Sequence, residues 1–226
     1  MKGVVIAAGK GSRLGEGCKA LVDVRGKPLV TYPLDTLKRA GMKDVVIVQH
    51  EGDISSKLGY SYDGLRLSYV SQNERKGIAH ALGLTEHLVG GESMAIVLGD
   101  VIYRGDGLSH MVGVFYDAAD DARPFDMIAG MQRVDDKEEI KKSYGLKEGV
   151  FVEKPQDVTE LPNLLGLGMY VASHRIFDKI RKLKLSNGEY QITDLLNQVN
   201  TYPCIVRGSY ININTQDELK RARGEK

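Results

Sequence analysis

The chain has 226 residues, 42% hydrophobic and 27% charged, the ordinary mix of a soluble globular protein and long enough for one α/β domain with a full core. A formal net charge of +1 gives no electrostatic case for nucleic-acid binding, and no apolar run approaches the ~20 residues of a membrane span. Cys18 and Cys204 are too few for a disulfide scaffold or a thiolate zinc site, and the opening MKGVVIAAG lacks a secretory apolar region, so a reducing, cytoplasmic setting is expected.

Apolar runs of strand length alternate with stretches of helical period. Strands are predicted at residues 3–7, 44–49, 66–71, 94–98, 126–131, 165–171 and 204–211, with helices at 29–40, 78–89 and 108–119. Gly41 after Ala40 reads as a helix stop. This alternation is the pattern of a mostly parallel sheet covered by helices on both faces, a Rossmann-like three-layer α/β arrangement. The charged stretch RVDDKEEIKKSYGLKEGVFVEK, residues 133–154, carries Gly145 and Gly149 among β-prone residues and fits a β-hairpin insertion of the same domain, taken as residues 1–226. Repeats and low-complexity tracts are absent. The five histidines show no H-x-x-x-H spacing, which disfavours a histidine metal site.

The first apolar run opens into GVVIAAGKGSRLGEGCKAL, beginning at Gly3. A dinucleotide fingerprint is broken at Leu14, and neither Gly9-Lys10-Gly11 nor Gly26-Lys27-Pro28 places the hydroxyl that a P-loop needs after its lysine. What remains is a strand, then Ala7, Ala8, Gly9, Gly11 and Ser12, then Arg13 and Lys19. Small residues let backbone N–H groups approach an anion, and the two cations add full charge to the same place. The same residues also fit a glycine-rich turn with two solvated cations.

Four later stretches carry candidate chemistry. MAIVLGD, residues 94–100, sets Asp100 at the carboxyl end of a presumed central strand, where open α/β sheets bind ligands and where a hard carboxylate suits magnesium; a turn or cap aspartate is the plain alternative. In SQNERKGIAHA, residues 71–81, Gln72 offers both an acceptor and a donor, matching the O4 and N3–H edge of uracil or thymine, and Gly77 permits a close approach. YGLKEGVFVEKP and LGLGMY, residues 144–155 and 165–170, hold Gly145, Glu153, Lys154 and Gly168. The segment YININT, residues 210–215, precedes a final helix in which Asn214 or Thr215 can act as the cap.

A-A-G-x-G-S-R-L followed by K-A-L resembles the first motif of the sugar-1-phosphate nucleotidyltransferases, usually written L/I-A-A-G-x-G-S/T-R-L with a later K-P-L. The resemblance implies that Ala7, Ala8, Gly9, Gly11 and Ser12 wrap a nucleoside triphosphate, that Arg13 contacts its phosphates, and that Lys19 stabilises the transferring phosphoryl group. It also implies magnesium as cofactor, held by Asp100 in L-x-G-D and by Asn212 where many relatives carry a second aspartate, with Asn214 the second candidate. An amide ligand brings no charge, so weaker metal affinity is expected. Gln72 and Gly77 resemble the base-reading loop of uridylyl- and thymidylyltransferases. Gly145, Glu153, Lys154 and Gly168 resemble the elements that hold the sugar and its phosphate, while GEYQITD, residues 188–194, resembles a structural segment beside them. Ala20 stands where the family usually has proline, which removes a restraint on the turn behind Lys19.

The resemblance spans nearly the whole chain and implies the nucleotide-diphospho-sugar transferase fold. It implies transfer of a nucleotidyl group from UTP or dTTP to a sugar 1-phosphate, with no nucleic-acid or membrane partner and with homo-oligomerisation left open. A cytidylyltransferase acting on an alcohol phosphate such as inositol phosphate shares the first motif and L-x-G-D, and a catalytically weak nucleotide-sugar binding module is the alternative from outside the enzyme class.

Overall fold

The computed structural model describes residues 1–9 and 18–225. In chain order these form β1 (Lys2–Ile6), β2 (Asp23–Val24), β3 (Lys27–Pro28), α1 (Thr31–Arg39), β4 (Asp44–Gln49), α2 (Asp53–Leu58), β5 (Ser61–Tyr62), β6 (Leu65–Ser71), α3 (Ile78–Gly83), α4 (Glu86–Val89) and β7 (Met94–Leu98). Then follow β8 (Val101–Arg104), α5 (Gly107–Asp117), β9 (Met127–Arg133), β10 (Tyr144–Lys147), β11 (Val150–Glu153), β12 (Leu164–Ala172), α6 (Ile176–Ile180), α7 (Ile192–Gln198), β13 (Thr201–Ile205), β14 (Ser209–Asn212) and α8 (Gln216–Arg223).

The main sheet has the order β13-β9-β12-β7-β1-β4-β6-β5. β1 is central and runs parallel to both β4 and β7, β6 runs parallel to β4, and β13 parallel to β9. β12 is antiparallel to both of its neighbours, so the sheet is mixed. Alternate residues of the strands feed two separate cores. Val5, Ala95, Val97, Ile128, Met169 and Val171 face Leu34 and Leu37 of α1 and Leu108 and Met111 of α5. Val4, Ile96, Met127, Ala129, Tyr170 and Ala172 face Leu82 of α3, Phe177 of α6 and Leu195 of α7. Strands covered on both faces lose the polar alternation of a half-exposed strand, which is why they read as continuous apolar runs. The predicted three-layer α/β fold is therefore present.

Helix α1 ends as expected. Gly41 follows Ala40 at φ +84°, and Met42 N–H returns to the Leu37 carbonyl. The expected hairpin insertion is β10–β11, whose turn contains Glu148 and Gly149, and it packs over β12 and α7.

Two predicted elements are divided. The helix expected over 78–89 is broken at Leu84 and Thr85, where the buried Thr85 hydroxyl donates to the Leu82 carbonyl and starts a new turn. The strand expected over 204–211 is two strands: β13 joins the main sheet, whereas β14 leaves it to pair with β8. Thr193 does not cap α7, whose preceding residue is the extended Gln191; Thr193 lies inside the helix and its hydroxyl donates to Glu153 Oε2 at 3.3 Å.

Candidate active site

The carboxyl ends of β1, β7 and β6 meet at one edge. Ala7 N–H donates to the Val48 carbonyl and Gly99 N–H to the Ile6 carbonyl, which carries β1 and β7 forward side by side. Gly99 has to be glycine for this approach, since a Cβ there would lie 2.6 Å from the Ala7 Cβ. The next residue, Asp100, is thereby set beside the start of the N-terminal loop. Its carbonyl accepts from Ile213 N–H, so the β8–β14 pair brings the C-terminal segment to the same point.

Lys19 opens a short 3-10 turn, Lys19–Leu21. Ala20 is buried and its carbonyl accepts from Val30 N–H at 2.8 Å, so tertiary packing holds this turn without a proline. The Lys19 ammonium donates to Asp100 Oδ2 at 2.6 Å and to Asn214 Oδ1 at 2.8 Å. Asn214 is itself fixed, because its N–H donates to Glu218 Oε2 at 2.8 Å within the capping box of Thr215 and Glu218.

The Lys19 ammonium thus brings Asn214, the second candidate ligand, beside Asp100, while Asn212, the first candidate, stands at the end of β14. Strand β14 ends at Asn212, and the turn into α8 swings Asn214 toward Lys19. Asn212 instead lines a neighbouring cavity of about 120 Å³ with Tyr210, Ser143, Lys142 and Glu218, and its Oδ1 is buried without a hydrogen-bond partner among the described residues. Burial, and then the Asp100 carboxylate, push the Tyr210 phenol far above its ordinary range, and β14 pairs with β8, the strand that follows Asp100.

Asp100 and Asn214 supply two hard oxygens that already converge on a positive charge, the Lys19 ammonium. That donor set fits magnesium, which takes one or two protein oxygens and completes its shell with water and phosphate. Among the described residues there is no cluster of three or more histidine, cysteine or acidic side chains that would form an all-protein metal cage.

A cleft of about 600 Å³ runs from Asp100 past Ala8 and Gly9 to Gln72, Gly77 and Glu189. A smaller cavity of about 40 Å³ that shares Gly9 and Asp100 with it is lined by Ala7, Lys19 and Ala20. Gln72 is 4% exposed, and its Nε2 donates to the Gly77 carbonyl at 3.1 Å while lying 2.9 Å from His80 Nδ1. The Gln72 amide nitrogen, expected to serve as the donor toward a base, therefore stands beside the Gly77 carbonyl and the His80 ring. Gly77 has φ +95°, and a Cβ there would fall 2.6 Å from the Tyr190 carbonyl oxygen. Arg75, which the sequence did not single out, lines the same cleft and donates from Nε to the Ala8 carbonyl at 3.0 Å. Its place in the loop after β6, at the same sheet edge, was the available signal.

Glu153, the last residue of β11, is not among the cleft's lining residues and is partly buried. Burial raises its carboxyl above the ordinary range, opposed by Lys154, whose Nζ is 3.6 Å away, and by the Thr193 hydroxyl. Lys154 has φ +38° and an exposed side chain. Gly145 lies opposite Val152 in the hairpin, and Gly168 sits at the irregular stretch of β12 against Leu98, the last residue of β7. Gly11, Ser12 and Arg13 lie outside the described residues.

A family model for nucleotidyl transferases matches residues 2–202. The chain is 33% identical over 218 residues to the low-salt glycan biosynthesis nucleotidyltransferase of Haloferax volcanii, with 88% of this chain and 57% of that protein covered. It is 32% identical over 213 residues to a glucose-1-phosphate thymidylyltransferase of Mycolicibacterium smegmatis, covering 88% and 70%, and 28% identical over 242 residues to a UTP–glucose-1-phosphate uridylyltransferase of Staphylococcus haemolyticus, covering 88% and 81%. The chain therefore spans little more than half of the haloarchaeal relative. In structure it is similar to a UDP-glucose pyrophosphorylase solved with UDP-glucose, with a TM-score of 0.83, 25% identity and coverage of 99% and 97%. With its strand-edge cleft and matched motifs, the chain belongs to the sugar-1-phosphate nucleotidyltransferase family.

Proposed function

We propose that this chain transfers a nucleotidyl group from UTP or dTTP to a sugar 1-phosphate, releasing pyrophosphate. The single observation that carries the reading is the convergence of Lys19, Asp100 and Asn214 at one end of the cleft that Gln72 and Gly77 line. The uridylyl- and thymidylyltransferase relatives support the same substrate class. One domain, residues 1–226, and a cytoplasmic setting belong to the reading; no helix among the described residues is long and apolar enough to cross a membrane.

A sugar 1-phosphate is an ionised nucleophile near neutral pH, so it needs no protein base. In the reaction its phosphate oxygen forms a bond to the α-phosphorus, and the bond from that phosphorus to the bridging oxygen of the β-phosphate breaks. Pyrophosphate carries away the electron pair. The obstacle is the mutual repulsion of two polyanions, which positioning and fixed positive charge overcome. Lys19 leaves its two oxygen partners to meet the charge on the α-phosphoryl oxygens, and Arg13 is assigned to the departing pyrophosphate. Asp100 and Asn214 would hold magnesium, which when bound supplies charge neutralisation between the two phosphate groups. Glu153 accepts hydrogen bonds from sugar hydroxyls, with Lys154 beside it for the sugar phosphate and Gly145 and Gly168 shaping the floor.

The test is product analysis by mass spectrometry after incubating the protein and magnesium with a mixed pool of nucleoside triphosphates and sugar and alcohol phosphates. A UDP- or dTDP-sugar with stoichiometric pyrophosphate is the expected result. A CDP-alcohol, or nucleotide binding with no magnesium-dependent pyrophosphate, overturns it.

A further inference from the structure

The geometry points to His80 as a positioning residue that sets base selectivity by fixing which end of the Gln72 amide faces the cleft. This rests on the proposed uridine or thymidine nucleotide reading and names the device that enforces it. The donor and acceptor pattern around Gln72 leaves one self-consistent assignment. The Gly77 carbonyl can only accept, so the amide atom facing it is the NH₂ group. That group's second proton points to His80 Nδ1 at 2.9 Å, so Nδ1 has to be the unprotonated nitrogen of a neutral ring. With the NH₂ end held on two protein acceptors, Oε1 is the atom left for Gln72, a residue that lines the cleft, to offer to a base.

The chemistry of the bases makes that orientation decisive. Uracil and thymine carry a proton on N3, which Oε1 accepts. Cytosine has a lone pair at N3 and an amino group at C4, so Oε1 opposite N3 brings two acceptors together. A turned amide would present NH₂ instead, which pairs with cytosine N3 and with uracil O4 alike and abolishes the distinction.

His80 is built to hold this position. It lies in α3 immediately after the Gly77 turn, its ring stacks on Tyr190 with centroids 6.2 Å apart and planes at 22°, and Tyr190 is tied at both ends of its backbone, donating to the Lys76 carbonyl and accepting from Ala79 N–H. The titratable and charged groups around the ring are Glu74 and Lys76 from the preceding loop, which pair with each other, Tyr190 from the loop before α7, and, across a shared cavity of about 340 Å³, Glu86 and Arg181. Burial, and then Lys76, lower the imidazole pKa, with Glu74 acting the other way. Burial and Lys76 both favour the neutral ring that the contact with the Gln72 amide requires.

The experiment measures kcat/KM for UTP, dTTP and CTP by pyrophosphate release with one sugar 1-phosphate, in wild type, His80→Leu and His80→Gln. Leucine removes the acceptor, and the ratio of UTP or dTTP over CTP is expected to fall about tenfold. Glutamine can supply an acceptor oxygen and should keep the ratio within about threefold. In wild type the same ratio should fall as the pH drops below the ordinary imidazole range, because an imidazolium cannot accept, while His80→Gln stays flat. That arm needs no folded leucine variant. A large wild-type ratio that neither His80→Leu nor acid changes overturns the assignment to His80 alone. A wild-type ratio near one overturns the base reading and this assignment with it.

Discussion

The Lys19 ammonium lies 2.6 Å from Asp100 Oδ2, a contact between residues 81 positions apart that joins the N-terminal loop to the end of the central strand β7. Lys19 and Asp100 are 10% and 26% exposed at their side chains, so water reaches the pair without flooding it. A cation and a carboxylate held together in that setting neutralise each other.

Replacing either partner should therefore remove a charge contact made in the transition state. Lys19→Ala and Asp100→Ala are each expected to lower kcat by ~10²–10³, about 3–4 kcal/mol, while leaving the cooperative unfolding transition in place. Single-turnover pyrophosphate release checks the first claim and thermal unfolding the second. Near-wild-type turnover in either variant removes that residue from the mechanism.

Asn214 and Asn212 give a sharper contrast. Asn214→Ala should raise the magnesium concentration needed for half-maximal turnover by about tenfold, since in the proposed site it deletes one of two hard-oxygen ligands. Asn212→Ala should change that requirement little, because Asn212 faces the cavity shared with Tyr210 and Ser143. Titrating magnesium against initial rate separates the two, and a larger effect at Asn212 would restore the assignment that the motif alone implies.

That contrast also marks how far the sequence was legible. Strands 44–49 and 94–98 could be read to the residue because they are covered on both faces and show as unbroken apolar runs. The edge where Asp100 and Gln72 meet followed from placing motifs at strand ends. What the sequence could not carry was the turn after Asn212, since two asparagines two residues apart share a face only while the strand continues. The division of 204–211 was hidden for a related reason. Gly208 sits where a Cβ would lie 2.5 Å from the Arg104 carbonyl oxygen, so the break is made by a backbone about 100 residues earlier. The orientation of the Gln72 amide likewise depends on a histidine ring whose partner atom no spacing rule names.

Gly77 is a second place where backbone geometry shapes the cleft. Alanine there would have to adopt φ near +95° and push its Cβ against the Tyr190 carbonyl oxygen. Gly77→Ala is expected to cost about 2 kcal/mol or more in stability and to raise KM for the triphosphate more than KM for the sugar phosphate. Thermal unfolding and paired KM measurements report both. Equal effects on the two substrates would uncouple this turn from the base.

Glu153 should give the sugar side its own pH dependence. Because burial raises its carboxyl, it loses its charge at a pH higher than an exposed glutamate would, despite the opposing pull of Lys154. KM for the sugar 1-phosphate should therefore rise on acidification, beginning above the ordinary glutamate value of 4.5, while KM for the nucleotide follows a different profile. Glu153→Gln should raise KM at neutral pH and flatten the acid rise. A variant profile that still climbs in parallel with wild type assigns the titration to another group.

Glu218 ties the stability of the C-terminal segment to the same site. Burial pushes its carboxyl up, but the Asn214 N–H, then Lys142, and the Thr215 cap outweigh burial and leave it below the ordinary value of 4.5. A lowered folded-state value means that the carboxylate stabilises the fold above the unfolded-state value, and that this contribution is lost as pH falls through the folded-state one. Glu218→Gln should therefore cost stability at pH 7, by about 1–3 kcal/mol for the weakened acceptor of two backbone N–H groups, and should cost much less in strong acid. Urea midpoints across that pH range measure the difference. Since Glu218 Oε2 also holds the Asn214 backbone in place, the variant should raise the magnesium requirement in the same direction as Asn214→Ala. If stability falls while the magnesium requirement stays unchanged, the capping box supports α8 alone, and Asn214 is positioned by Lys19 rather than by the helix behind it.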